Sequence, residues 1–160
     1  VRIDVVIPAL DEQEALPHVL RDIPRPLVRR VVVADNGSRD RTAAVALEHG
    51  AEVVYEQERG YGAACLKALE HLAADPPDIV VFLDGDYSDH PDELPRLVDP
   101  IVRNEAGLVI GSRATGPRER GALSPQQRVG NFIASRALRW LYGTQYTDLG
   151  PFRAIRWDTL

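Results

Sequence analysis

Val80-Val81-Phe82-Leu83-Asp84-Gly85-Asp86 is an apolar run closed by two carboxylates with one glycine between them. The run reads as a buried strand, and in open α/β sheets ligands sit outside the carboxyl ends of the strands. No cation neighbours the two aspartates in the local sequence. Oxygen donors of this kind suit Mg²⁺ or Mn²⁺, and Mg²⁺ is commonly bound by one or two carboxylates together with phosphate oxygens. The stretch points to a site for a metal–diphosphate. Taken alone it is equally a polar turn after a strand, because Asp and Gly are turn residues.

Outward from this strand, β-branched apolar runs alternate with helical patterns. Ile3 to Ile7, ended by Pro8, predicts the first strand, Arg30 to Ala34 the second and Glu52 to Tyr55 the third. Ile79 to Leu83 is the fourth and Leu108 to Ile110 the fifth. Between them, Asp11 to Arg21 predicts a helix with Asp11 as N-cap and Pro17 in an early turn. Asp40 to His49 is a short helix with Gly50 as its C′ residue. Tyr61 to Leu72 is Ala-rich and helical, and Pro76-Pro77 stops it. Leu94, Leu97, Val98, Ile101 and Val102 trace the apolar face of another helix. After an exposed charged loop over Thr115 to Leu123, Ser124-Pro125 opens a helix in cap-then-Pro order. A last apolar turn carries Ile155 and Trp157. This alternation predicts an α/β fold, a mainly parallel sheet with helices on both faces. No repeat or linker divides the chain, so residues 1–160 are expected to form one domain, cut short at its C-terminal end.

Composition narrows the class. The 160 residues are 44% hydrophobic, which suffices for one enclosed core. The net charge of −5 offers no basic surface for a nucleic acid. Cys65 is the single cysteine, so no internal disulfide can form. In its Ala-rich helix it reads as a small buried hydrophobe rather than a nucleophile. No apolar run approaches the ~18 residues of a membrane span, and Val1 to Leu10 lacks the basic segment of a signal peptide. A cytoplasmic protein is expected, with any membrane contact peripheral and at the inner face.

Three strand ends bring polar groups to one edge of such a sheet. The first offers Pro8-Ala9-Leu10-Asp11-Glu12, the second Asp35-Asn36-Gly37-Ser38 and the fourth Asp84-Gly85-Asp86-Tyr87-Ser88. A base and ribose fit over the first two, with diphosphate and metal at the third. Asp35 is placed either to accept hydrogen bonds from a nucleoside or to cap its own turn. Arg59-Gly60-Tyr61-Gly62-Ala63-Ala64 starts a helix, and glycine at a helix start lets phosphate approach backbone N–H groups. A lone Gly-x-Gly more often marks a loop that needs positive φ. The spacing is neither the dinucleotide fingerprint, since Cys65 stands at its last small position, nor a P-loop. Arg113, directly after the fifth strand, and Arg128 are candidate phosphate-binding cations, because arginine grips phosphate bidentately and keeps its charge. His18, His49 and His71 read as surface or structural residues, and His90 only follows the acidic strand end.

With these motifs assembled, the chain resembles family-2 glycosyltransferases of the GT-A fold, in particular the polyprenyl-phosphate mannosyl- and glucosyltransferases. The matching stretches are Val6 to Glu12, Val33 to Thr42, Arg59 to Ala64, Phe82 to Asp86, Gly111 to Arg113, Arg128 to Asn131 and Thr147 to Arg153. The resemblance implies that Pro8, Ala9, Leu10, Glu12, Asp35, Gly37, Gly62 and Asp84 line the nucleotide pocket. It implies that Asp84 and Asp86 hold Mg²⁺ or Mn²⁺ on the donor diphosphate. Arg113, Arg128, Asn131 and Arg153 would meet the acceptor, with Asp84, Asp86, Arg113 and Arg128 as the catalytic set. Asp11 stands where the family usually has asparagine. Family members also continue beyond a point like Leu160, with further acidic, basic and membrane-contacting segments.

The implied reaction is inverting transfer of a hexose from a nucleotide-diphosphate sugar to a polyprenyl phosphate. Metal and helix start would neutralise the leaving nucleoside diphosphate. A phosphate acceptor is already an anion and needs no general base. Two alternatives stand beside this reading: a glycosyltransferase with a hydroxyl acceptor, and a fragment that binds the donor without transfer. A phosphatase with paired aspartates would carry them after its first strand, not its fourth.

Overall fold

The computed structural model describes residues 1–111 and 151–160. The chain packs as two compact units, Val1–Val109 with Phe152–Leu160, and Ile110–Pro151. The helix expected from Ser124 and the loop before it lie outside the described residues.

The described elements are β1 (Ile3–Ala9), α1 (Leu16–Asp22), β2 (Arg30–Asp35), α2 (Thr42–Glu48), β3 (Glu52–Tyr55), α3 (Tyr61–Leu72), β4 (Ile79–Phe82), α4 (Leu94–Val102), β5 (Leu108–Ile110) and β6 (Arg153–Arg156). They build a six-stranded sheet in the order β3-β2-β1-β4-β6-β5. β1 pairs in parallel with β2 and β4, and β2 in parallel with β3. The carboxyl ends of β1, β2 and β4 are therefore neighbours on one edge.

Each face of the sheet has its own core, as the alternation of side chains along a strand requires. Val5 and Ile7 of β1 face the cluster that holds Leu16, Val19 and Leu20 of α1, Ala46 of α2, and Leu97 and Ile101 of α4. Val6, Val32, Val80 and Phe82 face Ala64, Cys65, Ala68 and Leu72 of α3. The small residues of α3 let it lie close on the strands. Cys65 is buried there, as expected of a small hydrophobe.

Four local expectations change. First, β1 runs through Pro8 to Ala9 instead of ending before it. Ile3 and Ala9 accept hydrogen bonds from the β2 side, whereas Val6 accepts from Leu83 on the β4 side. Pro8 shares the orientation of Val6, and the β1–β4 register ends at Val6 and Phe82. Its missing N–H faces a place where the ladder has stopped, so proline costs nothing there.

Second, α1 begins at Leu16, not at Asp11, with Pro17 in its first turn. Asp11 adopts φ +56°, and its carboxylate accepts from the Arg39 N–H at 2.7 Å. The side chain caps a neighbouring loop instead of its own helix. Third, Val102 of the expected apolar stripe is exposed, because α4 ends on it. Fourth, the turn around Ile155 is a strand: β6 lies antiparallel to β4, pairing Arg153 with Phe82 and Ile155 with Val80.

At the opposite, amino edge of the sheet, Asp4 is fully buried on β1. Its carboxylate accepts hydrogen bonds from Nε and Nη2 of both Arg29 and Arg30, at 2.7–3.2 Å. Asp75 binds Arg29 in turn. A buried carboxylate is tolerated when it is paired and hydrogen-bonded in this way.

Candidate active site

The three polar strand ends do converge. The loop after β1 is laced to the loop after β2 by backbone-to-side-chain hydrogen bonds. Asp11 N–H donates to Ser38 Oγ (3.0 Å), Glu12 N–H to Thr42 Oγ1 (2.8 Å) and Gln13 N–H to Asp40 (3.1 Å). Asp40 also accepts the Thr42 N–H at 2.8 Å, which fixes the start of α2. The loop after β4 lies against the same place. A Cβ on Gly85 would stand 3.4 Å from Glu12 Cγ and 3.5 Å from Ile7 Cγ2.

Asp84 is half-buried, Gly85 buried and Asp86 exposed. The Asp84 N–H donates to the buried Asp89 at 3.4 Å, and Asp86 Oδ1 accepts the Ser88 N–H at 2.9 Å. Glu12 registers the charge of this edge. Burial raises its pKa above the ordinary value, and the negative fields of Asp86, Asp40 and Asp11 raise it further. The edge therefore carries excess negative charge that a cation would relieve. Among the described residues no group of three or more His, Cys, Asp or Glu side chains forms a metal cage. Two carboxylates at a half-open edge fit a hard divalent cation that takes its other oxygens from substrate phosphate and water.

Pro8 is half-buried, Ala9 lies in the core and Leu10 is exposed beside them. Asp35 is buried, and its Oδ1 accepts the Ser38 N–H at 2.9 Å, so it caps its own turn. Gly37 takes φ +85° in that turn. Asn36 has a larger structural part than its place in a turn motif suggested. Its Nδ2 donates to the carbonyls of Glu56 (3.1 Å) and Glu58 (2.7 Å), and its Oδ1 accepts the Gly60 N–H (2.8 Å). One side chain thus pins the β3–α3 loop to the end of β2. Gly60, at φ +136°, makes the turn into α3. No side-chain hydrogen bond caps α3 among the described residues, and a Cβ on Gly62 would meet nothing within 4 Å. An open helix start of this kind presents N–H groups to an anion.

Arg153, opposite Phe82 in the sheet, stacks its guanidinium over that ring at 5.0 Å from the centroid. It brings a cation to the face where α3 lies. Tyr61, at the start of α3, lies within electrostatic reach of Cys65, Asp84 and Arg153. Burial raises the pKa of the Tyr61 phenol and of the Cys65 thiol. Cys65 is therefore a protonated packing residue, not a nucleophile. The place of Arg153 beside Phe82 follows from the β4–β6 pairing, and that of Tyr61 from the packing of α3 on the sheet; no local pattern reveals either. Of the other residues expected at the site, Arg113, Arg128 and Asn131 lie outside the described residues.

His71 bonds Glu52 at 2.6 Å, His49 Nδ1 lies 2.9 Å from the Val45 carbonyl, and His18 packs on Tyr87. All three have the structural roles expected of them.

The sequence profile of glycosyl transferase family 2 matches residues 4–159. The chain belongs to this family. A glycosyltransferase of Mycobacterium bovis is 40% identical over 159 residues, covering 99% of this chain and 69% of that protein. The dolichyl-phosphate hexose transferase of Haloferax volcanii is 34% identical over 158 residues, covering 98% of this chain and 67% of that one. Among solved structures, glucosyl-3-phosphoglycerate synthase from Mycobacterium tuberculosis, in complex with Mn²⁺, UDP-glucose and phosphoglyceric acid, superposes with a TM-score of 0.78 at 31% identity. The match covers 99% of this chain and 57% of that enzyme. The fold is the GT-A fold of these glycosyltransferases. No helix among the described residues is long and apolar enough to cross a membrane.

Proposed function

We propose that this chain carries the donor site of a metal-dependent, inverting hexosyltransferase. It would use a nucleotide-diphosphate sugar and an acceptor that bears phosphate, of the polyprenyl phosphate type. The observation that carries the reading is the convergence of Asp84, Asp86 and Glu12 with the Asp35 turn and the open start of α3 on one sheet edge.

Asp84 and Asp86 would hold Mg²⁺ or Mn²⁺, which when bound neutralises charge on the departing nucleoside diphosphate. The solved relative with Mn²⁺ and UDP-glucose supports a divalent ion and a donor of this class. Asp35, Gly37, Pro8, Ala9, Leu10 and Glu12 would shape the nucleoside pocket, with Asp35 pre-oriented by its own turn. The N–H groups at the start of α3 would receive diphosphate oxygens, and Gly62 leaves the room for them. Arg153 would bind a phosphate oxygen next to Asp84, as would Arg113 and Arg128, with Asn131, on the acceptor. An acceptor phosphate attacks as an anion, so no side chain has to remove a proton.

A second reading has its own support. The solved relative was captured with phosphoglyceric acid, a small phosphorylated acid, whereas the archaeal relative is named for dolichyl phosphate. Product formation from UDP- and GDP-hexoses, offered either a polyprenyl phosphate or 3-phosphoglycerate, separates the two. Transfer to the lipid phosphate alone supports the proposal. Transfer to phosphoglycerate alone replaces its acceptor, and transfer to neither with intact donor binding supports the donor-binding fragment.

A further inference from the structure

Tyr87 follows the Asp84-Gly85-Asp86 stretch directly, and it is held in an unusual way. Its φ is +59°, a left-handed conformation that is strained for a bulky residue and persists only when its surroundings enforce it. Core burial does not enforce it, since Tyr87 is 43% exposed. Two contacts to α1 do. The Tyr87 hydroxyl donates to the carboxylate of Asp22. Its ring leans on that of His18, one helical turn earlier, with centroids 5.6 Å apart and planes tilted by 46°. α1 is a firm post for this grip, because Leu16, Val19 and Leu20 anchor it in the core.

We propose that Tyr87 is a positioning residue: its clamp on His18 and Asp22 of α1 holds the acidic loop in the conformation that presents Asp86 to a divalent cation on a nucleoside diphosphate. The inference rests on the donor-site reading above. The physical link is short. The peptide plane between Asp86 and Tyr87 is set by the left-handed φ of Tyr87, and Asp86 Oδ1 is already tied to the Ser88 N–H on the far side of Tyr87. Once the clamp is released, the backbone relaxes towards negative φ, the plane turns and the Asp86 carboxylate turns with it. Supporting partners of metal ligands act on affinity in this manner.

The test uses the chain with Mn²⁺ and UDP as the probe, and reads bound Mn²⁺ by electron paramagnetic resonance. Tyr87→Phe removes the hydroxyl but keeps the ring on His18, and Asp22→Ala removes the acceptor from the other side. Each is expected to weaken Mn²⁺ binding in the presence of UDP by about ten-fold, with the melting curve unchanged. The double variant is expected to be no weaker than either single one, because both cut the same hydrogen bond. Wild-type affinity in Tyr87→Phe, or an additive loss in the double variant, overturns the clamp. In that case Asp86→Ala still abolishes binding and the donor site stands. A wild-type chain that does not bind Mn²⁺ with UDP overturns the donor reading and the clamp together.

Discussion

Arg153 stacks its guanidinium on Phe82, 5.0 Å from the ring centroid, two residues before Asp84 on the neighbouring strand. A cation held over a ring near the acidic strand end is positioned by packing and remains able to meet an anion.

Arg153→Ala is therefore expected to lower transfer by about ten-fold or more, the loss of a charge-assisted hydrogen bond to phosphate. Its effect on stability is expected to stay below about 1 kcal/mol, the scale of the cation–π contact. Steady-state rates beside a denaturant melt check both. Arg153→Lys keeps the charge but not the planar fork, and falls between.

Gly62→Ala separates folding from binding in the opposite sense. Gly62 lies in the first turn of α3 with open space where its Cβ would go. Alanine is expected to stabilise the helix, by up to about 1 kcal/mol, and to weaken donor binding by crowding the diphosphate. A Tm that rises while nucleotide affinity falls is the expected pair of results.

The fold was largely legible in the sequence because β1, β2 and β4 are buried on both faces and read as apolar, β-branched runs. What was not legible depends on distant partners. β6 has the bare pattern Arg153-Ala154-Ile155-Arg156, and only its place beside β4 makes it a strand. Asp11 has the chemistry of an N-cap, yet the Arg39 N–H claims its carboxylate. At the site, the strand-end carboxylates were readable from spacing. The parts of Asn36, Tyr61 and Tyr87 were not, since each acts through a loop or helix remote in sequence.

Asp4 tests the amino edge of the sheet. Removing it takes away the one buried carboxylate that Arg29 and Arg30 share and leaves them with Asp75 alone. Asp4→Ala is expected to cost about 3 kcal/mol, as when one partner of a buried ion pair is lost. Urea titration reads this as a lower midpoint. The site lies at the other edge, so nucleotide affinity measured well below the new midpoint should match the wild type.

Glu12 gives a pH signature. Burial first, then Asp86, raise its pKa in the fold above the ordinary 4.5. Ionised Glu12 therefore opposes folding. The cost sets in as pH rises through 4.5 and is complete above the raised folded value. Glu12→Gln is expected to melt higher than the wild type at pH 7 in metal-free buffer. The difference should vanish as pH falls below the ordinary carboxylate range. A variant that melts lower at pH 7 contradicts the electrostatic reading of this edge.

The edge shared by β1, β2 and β4 is expected to bind a nucleoside diphosphate through a metal held by Asp84 and Asp86. Calorimetric titration of the chain with UDP and with GDP, each with and without Mn²⁺, is the decisive measurement. One nucleotide is expected to bind, only with the metal present, and Asp86→Ala is expected to abolish binding while the variant keeps its fold. Metal-independent binding, or binding that survives Asp86→Ala unchanged, would contradict this expectation.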